Sequence, residues 1–168
     1  MPKIIENLET RLIEEARRQA WEGGYSTVTV RSVAAACGVG VGTVYNYFAS
    51  KDALLAAFLL ADWKDCLQAM EAAKASCPRQ SDVLRAMCRE VHRYLTLHRT
   101  IFRDPAAAQV VSPVIHRYHG LLREQLAVPL MSFCADEDHA RFLAEALLTW
   151  TVEGWEENRL LPMLEKLL

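Results

Sequence analysis

Apolar residues recur at helical spacing along this chain, and the pattern predicts helices throughout. The first helix covers about residues 3–22. On the second helix, Val33, Ala34 and Cys37 form one apolar face. Gly38 follows the last of these positions, where a left-handed backbone can end a helix at low steric cost. Two helices joined by a tight glycine turn are therefore expected near the N-terminus.

A third, very short helix is predicted at about residues 41–48, with Val44 and Phe48 on its buried side. Thr29 is a good N-cap for the preceding helix. A helix as short as the third is marginal alone in water, and entry into the major groove of DNA is the usual reason for displaying one. Two ordinary core helices joined by a glycine turn are the alternative. The positions left outward on the third helix are Thr43, Asn46 and Tyr47.

Longer helices follow downstream. They are predicted at about residues 51–75, 82–97, from 112 to Pro129, from 136 onward, and 161–167, with a short helix and a bend at Pro105 within 100–111. Ser112 and Pro113 provide an N-cap and a proline at the first helical position. Gly154 and Trp155 lie near the end of the helix that starts at Asp136. The fold class expected is all-α.

Several short motifs point to one family. They are Gly24-Tyr25, Thr29-Val30-Arg31, Val33-Ala34, Cys37-Gly38-Val39, Gly42-Thr43-Val44-Tyr45, Tyr47-Phe48, Ser50-Lys51-Asp52 and Leu54. Over about residues 3–60 the chain resembles the DNA-binding domain of the TetR family of bacterial transcriptional regulators. The resemblance implies a helix-turn-helix DNA-binding domain at 1–50, a linking helix at about 51–75, and a helical effector-binding and dimerisation domain at 51–168.

The function implied is that of a homodimeric, ligand-responsive regulator of transcription. It would be a repressor that binds a palindromic double-stranded operator and is released by a small-molecule effector. Position 40 is often Ser in this family and is Gly here, which loses a side-chain cap. Val41 could contact bases only through an apolar surface such as a thymine methyl. The DNA-binding candidates are Thr29, Arg31, Val41, Gly42, Thr43, Tyr45, Asn46, Tyr47 and Lys51, and for Tyr45 a core position is an equal alternative.

The second domain supplies two further sets of candidates. Mostly apolar walls with a few polar groups are typical of a small-ligand pocket, although the same residues also suit a plain core. The ligand-pocket candidates are Trp63, Met70, Met87, Cys88, His92, Tyr94, Phe102, Tyr118 and Trp150. By the family resemblance, the last long helix and the C-terminal leucines form the dimer interface. Its candidates are Leu143, Leu147, Thr151, Gly154, Trp155 and Leu164, and the alternative for Gly154 is that it only weakens the helix end.

Charge and cysteine content narrow these expectations. The 168 residues carry a net charge of −2, and the first 52 carry six bases and six acids, so weak non-specific DNA affinity is expected. The bases could still be segregated, with Arg17, Arg18, Arg31 and Lys51 facing DNA. Five scattered cysteines without a CxxC pair favour reduced cytosolic thiols. Together with the family resemblance, which implies a bacterial protein, they lead us to expect a cytoplasmic location in bacteria. A metal site from Cys88 and His92 or from His116 and His119, and a thiol switch from Cys66, Cys77 and Cys88, are minor alternatives.

Other function classes receive little support. No Gly-rich phosphate loop, HExxH or nucleophile elbow occurs, so we expect no enzyme and no cofactor. No apolar run is long enough for a membrane span. We also expect no bound metal. The alternative function is a helical protein-interaction module that retains the DNA-binding head but has no small-molecule effector.

Overall fold

The computed structural model describes residues 7–77, 79–102 and 112–167, and these residues are all-α, without a strand among them. The helices are α1 (Leu8–Gly23), α2 (Val30–Cys37), α3 (Val41–Tyr45), α4 (Lys51–Ser76), α5 (Gln80–Leu97), α6 (Arg99–Phe102), α7 (Ser112–Leu130), α8 (Glu137–Val152) and α9 (Glu157–Glu165). Short 3-10 turns lie at Tyr25–Thr27 and Met131–Phe133. The expected all-α fold class is confirmed. The bend expected at Pro105 lies outside the described residues.

The chain divides into two compact units. The N-terminal unit is the described part of residues 1–61 and 100–112, and the C-terminal unit is the described part of 62–99 and 113–168. Helix α4 contributes residues to both units, with the division after Ala61.

The N-terminal unit is built from small residues at helix crossings. Ala16 and Ala20 on α1 are fully buried, and α1 packs against α2, which packs against α3. Alanine lets two helices approach closely while losing little side-chain entropy. Val33 on α2 and Val44 on α3 complete this core and are also fully buried.

The C-terminal unit has a core of larger side chains. Helix α5 packs against α8, and α9 packs against both. Met87 and Val91 on α5 are fully buried, and Leu143 and Leu147 on α8 are 1% exposed. None of the helices in the described parts of the chain is both long and apolar enough to cross a membrane.

Three predicted boundaries differ from the structure. The third helix ends at Tyr45 and is followed by a turn at Asn46 and Tyr47, so it does not reach Phe48. The helix after Asp136 ends at Val152. The last helix begins at Glu157 and not near residue 161, so Pro162 lies inside it and not in its first turn. A proline at that position removes a single hydrogen bond to the preceding turn, and the helix continues through it.

Candidate nucleic-acid interface

Helix α2 begins with the cap that the sequence predicts. The Ser32 backbone N–H donates to Thr29 Oγ1 at 2.9 Å, and the Thr29 backbone N–H donates to Ser32 Oγ at 3.0 Å. This reciprocal pair satisfies two amides that a helix start would leave open. Ser32 Oγ also donates to Gln19 Oε1 on α1 at 2.6 Å. The cap therefore fixes both the start of α2 and its position against α1.

The turn between α2 and α3 depends on one glycine. Gly38 has φ 69° and ψ 32°, in the left-handed region, and ends α2 as predicted. The backbone N–H of Val39 then donates to Ala34 O at 2.9 Å, which closes the turn. Gly40 occupies the N-cap position of α3 without a side-chain bond. The direction of α3 is thus set by backbone geometry at Gly38.

Helix α3 divides its side chains between the core and the surface. Val44 is fully buried and Phe48 is 7% exposed, as the sequence predicts. Tyr45 and Tyr47 are 52% and 46% exposed, so the alternative of a core position for Tyr45 is wrong. The remaining candidates on this segment are Val41, Gly42 and Asn46, which are exposed, and Thr43, which is half-buried. An exposed apolar and aromatic surface on a five-residue helix is available to a partner.

Lys51 is held against the turn after α1. Its ammonium donates to the backbone carbonyl of Tyr25 at 2.6 Å and lies 3.6 Å from the centre of the Tyr25 ring. The Tyr25 hydroxyl donates to Asp52 Oδ1 at 2.8 Å. Cation–π contact and hydrogen bonding together stabilise the charge at a helix start that disfavours it. A phosphate contact by Lys51 remains a prediction.

The other bases are less segregated than the sequence suggests. Arg18 pairs with Glu15 and Glu22 at 2.6 Å each, because residues three and four positions apart share a helix face. The predicted segregation is therefore wrong for Arg18. Arg31 is exposed on α2 and Thr29 is exposed at its cap. Contacts from these two residues to DNA stay predictions.

Some ligand-pocket candidates meet in the interior of the C-terminal unit. Trp63 on α4 packs edge-on against Tyr94 on α5, with ring centres 5.1 Å apart. The Tyr94 and Tyr118 hydroxyls are hydrogen-bonded to each other, and burial raises the pKa of both phenols. Trp63 Nε1 donates to Gln125 Oε1 at 2.8 Å. Three further candidates are buried on the same two helices, Met70 on α4 and Met87 and Cys88 on α5.

Sequence reasoning missed the most polar part of this interior. His98 is fully buried, its Nε2 lies 3.1 Å from Asp62 Oδ2, and its ring packs edge-on against Tyr94 at 4.8 Å. The only signal in the sequence is the i, i+4 spacing of Tyr94 and His98. We call the set Asp62, Trp63, Tyr94, His98, Tyr118 and Gln125 the buried polar cluster.

Three other pocket candidates lie elsewhere. Trp150 is 42% exposed near the C-terminal end of α8. Its ring packs against that of Trp155, which follows the helix, with ring centres 4.4 Å apart. His92 is half-buried with Nε2 3.8 Å from Glu156 Oε2. Phe102, also half-buried, belongs to the N-terminal unit. A groove of about 450 Å³ in the C-terminal unit is lined by other residues, namely Arg85, Glu156, Glu157, Asn158, Leu161, Pro162 and Glu165.

Most dimer-interface candidates are covered by the chain itself. Leu143, Leu147 and Leu164 are at most 3% exposed, and Thr151 donates its hydroxyl to Leu147 O at 2.6 Å. Gly154 is exposed beyond the end of α8, and its φ of 93° accounts for glycine at this position. Trp155 is half-buried, with the Arg159 guanidinium 3.6 Å from its ring centre.

The thiols show no mark of a sensor. Burial raises the pKa of Cys66 and of Cys88 to about 12, which disfavours the reactive thiolate. Within the described residues, no three potential ligands converge on a metal position. The side chain of His116 lies outside the described part of the chain.

Comparison with known proteins agrees with the geometry of α2 and α3. Residues 12–58 match the family described as bacterial regulatory proteins, tetR family. The HTH-type transcriptional regulator UidR of Escherichia coli K12 is 33% identical over 58 residues, which are 34% of this chain and 30% of UidR. The match therefore spans less than a third of the length of that relative.

Solved structures share the fold over nearly the whole chain. A TetR-family transcriptional regulator from Pectobacterium atrosepticum has a TM-score of 0.71 at 22% identity, covering 97% of this chain and 93% of that one. The multidrug binding protein EbrR, solved in complex with imidazole, has a TM-score of 0.71 at 21% identity, covering 98% and 91%. At these identities the likeness concerns the fold alone. Residues 12–58 are thus similar to the N-terminal part of tetR-family regulatory proteins, and nearly the whole chain shares the fold of these solved structures.

Proposed function

We propose that this chain is a DNA-binding regulator of transcription, namely a homodimeric repressor that binds a palindromic operator and is released by a small-molecule effector. The observation that carries the proposal is the outward face of α3, where Tyr45 and Tyr47 are half exposed while Val44 and Phe48 anchor the same segment in the core. A surface held this firmly and left uncovered is suited to entering the major groove.

The side chains divide into two roles in this proposal. Thr43, Asn46 and Tyr47 would contact base edges or the nearest phosphates. Arg31 and Lys51 would contact the backbone and fix the position of the unit on the duplex. The ammonium of Lys51 is already engaged by Tyr25, so its phosphate contact would be added to an ordered side chain.

The balanced charge of the first 52 residues supports the proposed dimer. Balanced acids and bases release few counterions, so one unit would bind DNA weakly. Two units acting on half-sites about 34 Å apart multiply their affinities, and their twofold symmetry requires a palindrome.

We place the dimer surface on the outer sides of α7 and α8. Leu121 and Val128 on α7 are 39% and 69% exposed, and Phe142 and Trp150 on α8 are 60% and 42% exposed. Arg141 pairs with Glu124 at 2.9 Å and joins the two helices near these side chains. Exposed apolar stripes on adjacent helices favour association with a second copy.

The effector would act on the C-terminal unit. The buried polar cluster combines aromatic walls with donors and acceptors, as small-ligand sites do. The solved complex of EbrR with imidazole supports a small molecule as the ligand class. An effector releases DNA when it binds the non-binding state of the dimer better than the binding state.

Selection of DNA from a random pool by the full chain tests the proposal. We expect a palindrome with half-sites about one helical turn apart. Tyr47→Ala should lower affinity for the selected sequence about 5- to 150-fold, because a base or phosphate contact is lost. Met163→Ala removes a comparably exposed side chain, 50% exposed, from the C-terminal unit and serves as the control. If no sequence is enriched and a tight protein partner is found, the interaction-module alternative holds instead.

A further inference from the structure

Two glycines of the N-terminal unit are required by the fold. A Cβ at Gly23 would lie 2.4 Å from Thr27 Cγ2, which is far too close for two carbons. Gly38 has φ 69°, a conformation that side chains disfavour. In both cases the reason for glycine lies within the protein.

Gly42 has no such reason. A Cβ built there meets no atom within 4 Å, and its φ lies outside the left-handed region. Gly42 is also helical, and glycine is among the poorest helix formers. The fold would therefore accept alanine at this position and gain from it.

The surroundings of Gly42 connect it to the candidate interface. Residues three and four positions ahead on a helix share its face, and these are Tyr45 and Asn46, both exposed. Val41 and Thr43 flank it in sequence. Gly42 thus forms a bare strip of backbone among the side chains that are candidates for reading bases.

We propose that Gly42 is a specificity-determining residue whose missing side chain lets base edges approach the backbone of α3. This inference rests on the proposed function, since it needs operator DNA in contact with α3. A missing Cβ is used where backbone must come close to a ligand. The neighbouring side chains then reach deeper into the groove than they would over a methyl group.

The chain offers a matched control. Gly120 on α7 is also helical, and a Cβ there meets no atom within 4 Å. Gly42→Ala and Gly120→Ala are therefore the same chemical change in similar open surroundings. They differ in that only Gly42 lies on the candidate nucleic-acid interface.

The test measures stability and DNA binding of the full chain with both variants. The melting temperature should be unchanged or higher in each. Gly42→Ala should bind the sequence enriched by the wild type at least about tenfold more weakly. Gly42→Leu should lose more, and Gly120→Ala should bind like the wild type. The slope of log affinity against log salt should not change in Gly42→Ala, because no phosphate contact is removed.

The outcomes separate the two proposals. If the wild type binds its selected sequence and Gly42→Ala binds it within about twofold, the inference on Gly42 is overturned and the proposed function stands. An equal loss in Gly120→Ala also overturns the inference, because the effect would then not come from the interface. If the wild type enriches no sequence, both proposals fail.

Discussion

Helices α3 and α8 differ in how clearly their sequences distinguish their inner and outer sides. On α3 and in the turn after it, the inward residues Val44 and Phe48 are separated by hydroxyl-bearing or polar residues, namely Tyr45, Asn46 and Tyr47. On α8, both sides carry large apolar side chains: Leu147 is 1% exposed and Phe142 is 60% exposed. Periodicity identifies a helical face only when the opposite face is polar. For α3 the sequence therefore indicates the outer surface, and for α8 it does not.

The consequence is visible in the dimer candidates. Leu143, Leu147 and Leu164 are apolar residues at helical spacing, and the structure buries them within their own chain. The exposed stripe on α8 begins at Phe142, one position away from Leu143. A shift of one residue on a helix changes the face by about 100°, which is enough to exchange core and surface.

The largest expected effect comes from testing the two sides of α8 separately. Leu147→Ala should lower the free energy of unfolding by about 2–5 kcal/mol, because it leaves a cavity in the core. Phe142→Glu should leave the fold intact and abolish the dimer, because it places a charge on the proposed interface. Urea unfolding measures the first effect and sedimentation measures the second.

Each α8 variant controls the other. Trp21→Glu, at a side chain 45% exposed in the N-terminal unit, controls for an added charge outside the proposed interface. A Phe142→Glu protein that remains dimeric would remove α8 from the interface. A Leu147→Ala protein as stable as the wild type would contradict the inward assignment of that leucine.

A smaller loss of stability is expected at the cap of α2, because the substitution removes a hydrogen bond and leaves no cavity in the core. Thr29→Ala removes the oxygen that accepts from the Ser32 amide and should destabilise the chain by about 0.5–2 kcal/mol. Thr29→Ser keeps the oxygen and should recover most of the loss. Urea unfolding of the three proteins measures both. Equal stability of the alanine and serine variants would show that the cap hydroxyl does not matter.

The smallest effect is expected at the surface of α1. The hydrogen bond from Arg18 lowers the pKa of Glu15, so the ionised carboxylate is favoured in the folded state. Its contribution is present above the unfolded pKa, about 4.3, and is lost as pH falls through the folded value. Wild type should therefore exceed Glu15→Gln in stability near neutral pH, and the difference should vanish in acid.

Thermal unfolding of both proteins across that pH range measures the difference. Because Arg18 is well exposed, solvent screens the pair and the gain should be well below that of the cap. A difference that persists unchanged in acid would mean that Glu15 acts through something other than its charge.

The sequence predicted local features well and distant pairings poorly. The cap at Thr29, the turn at Gly38 and the start of α8 depend on residues at most five positions apart. At the start of α8, Asp136 Oδ1 accepts from the His139 amide at 2.8 Å. The resemblance of the N-terminal segment to the TetR family was confirmed over residues 12–58, because its motifs lie in this local segment. Pro162 misled the prediction of α9, because proline suits the first turn of a helix but is also tolerated inside one.

The buried polar cluster could not be predicted from such rules. Asp62 and His98 lie on different parts of the chain, and only packing of α4 against the end of α5 brings them within 3.1 Å. A buried histidine and a solvent-facing histidine have the same sequence signature. The DNA contacts of α3 and the effector site remain predictions, because they depend on molecules other than this chain.

The contacts of Lys51 have a mechanical consequence. Lys51 contacts the carbonyl and the ring of Tyr25, and the carboxylate of its neighbour Asp52 accepts from the Tyr25 hydroxyl. These contacts fasten the first turn of α4 to the turn after α1. Ser50 caps the same end of α4 by accepting from the Ala53 amide at 3.1 Å. A force on the first turn of α4 would therefore reach the turn at Tyr25–Thr27 through these contacts. We expect the start of α4 and this turn to move together, with the contacts between them kept.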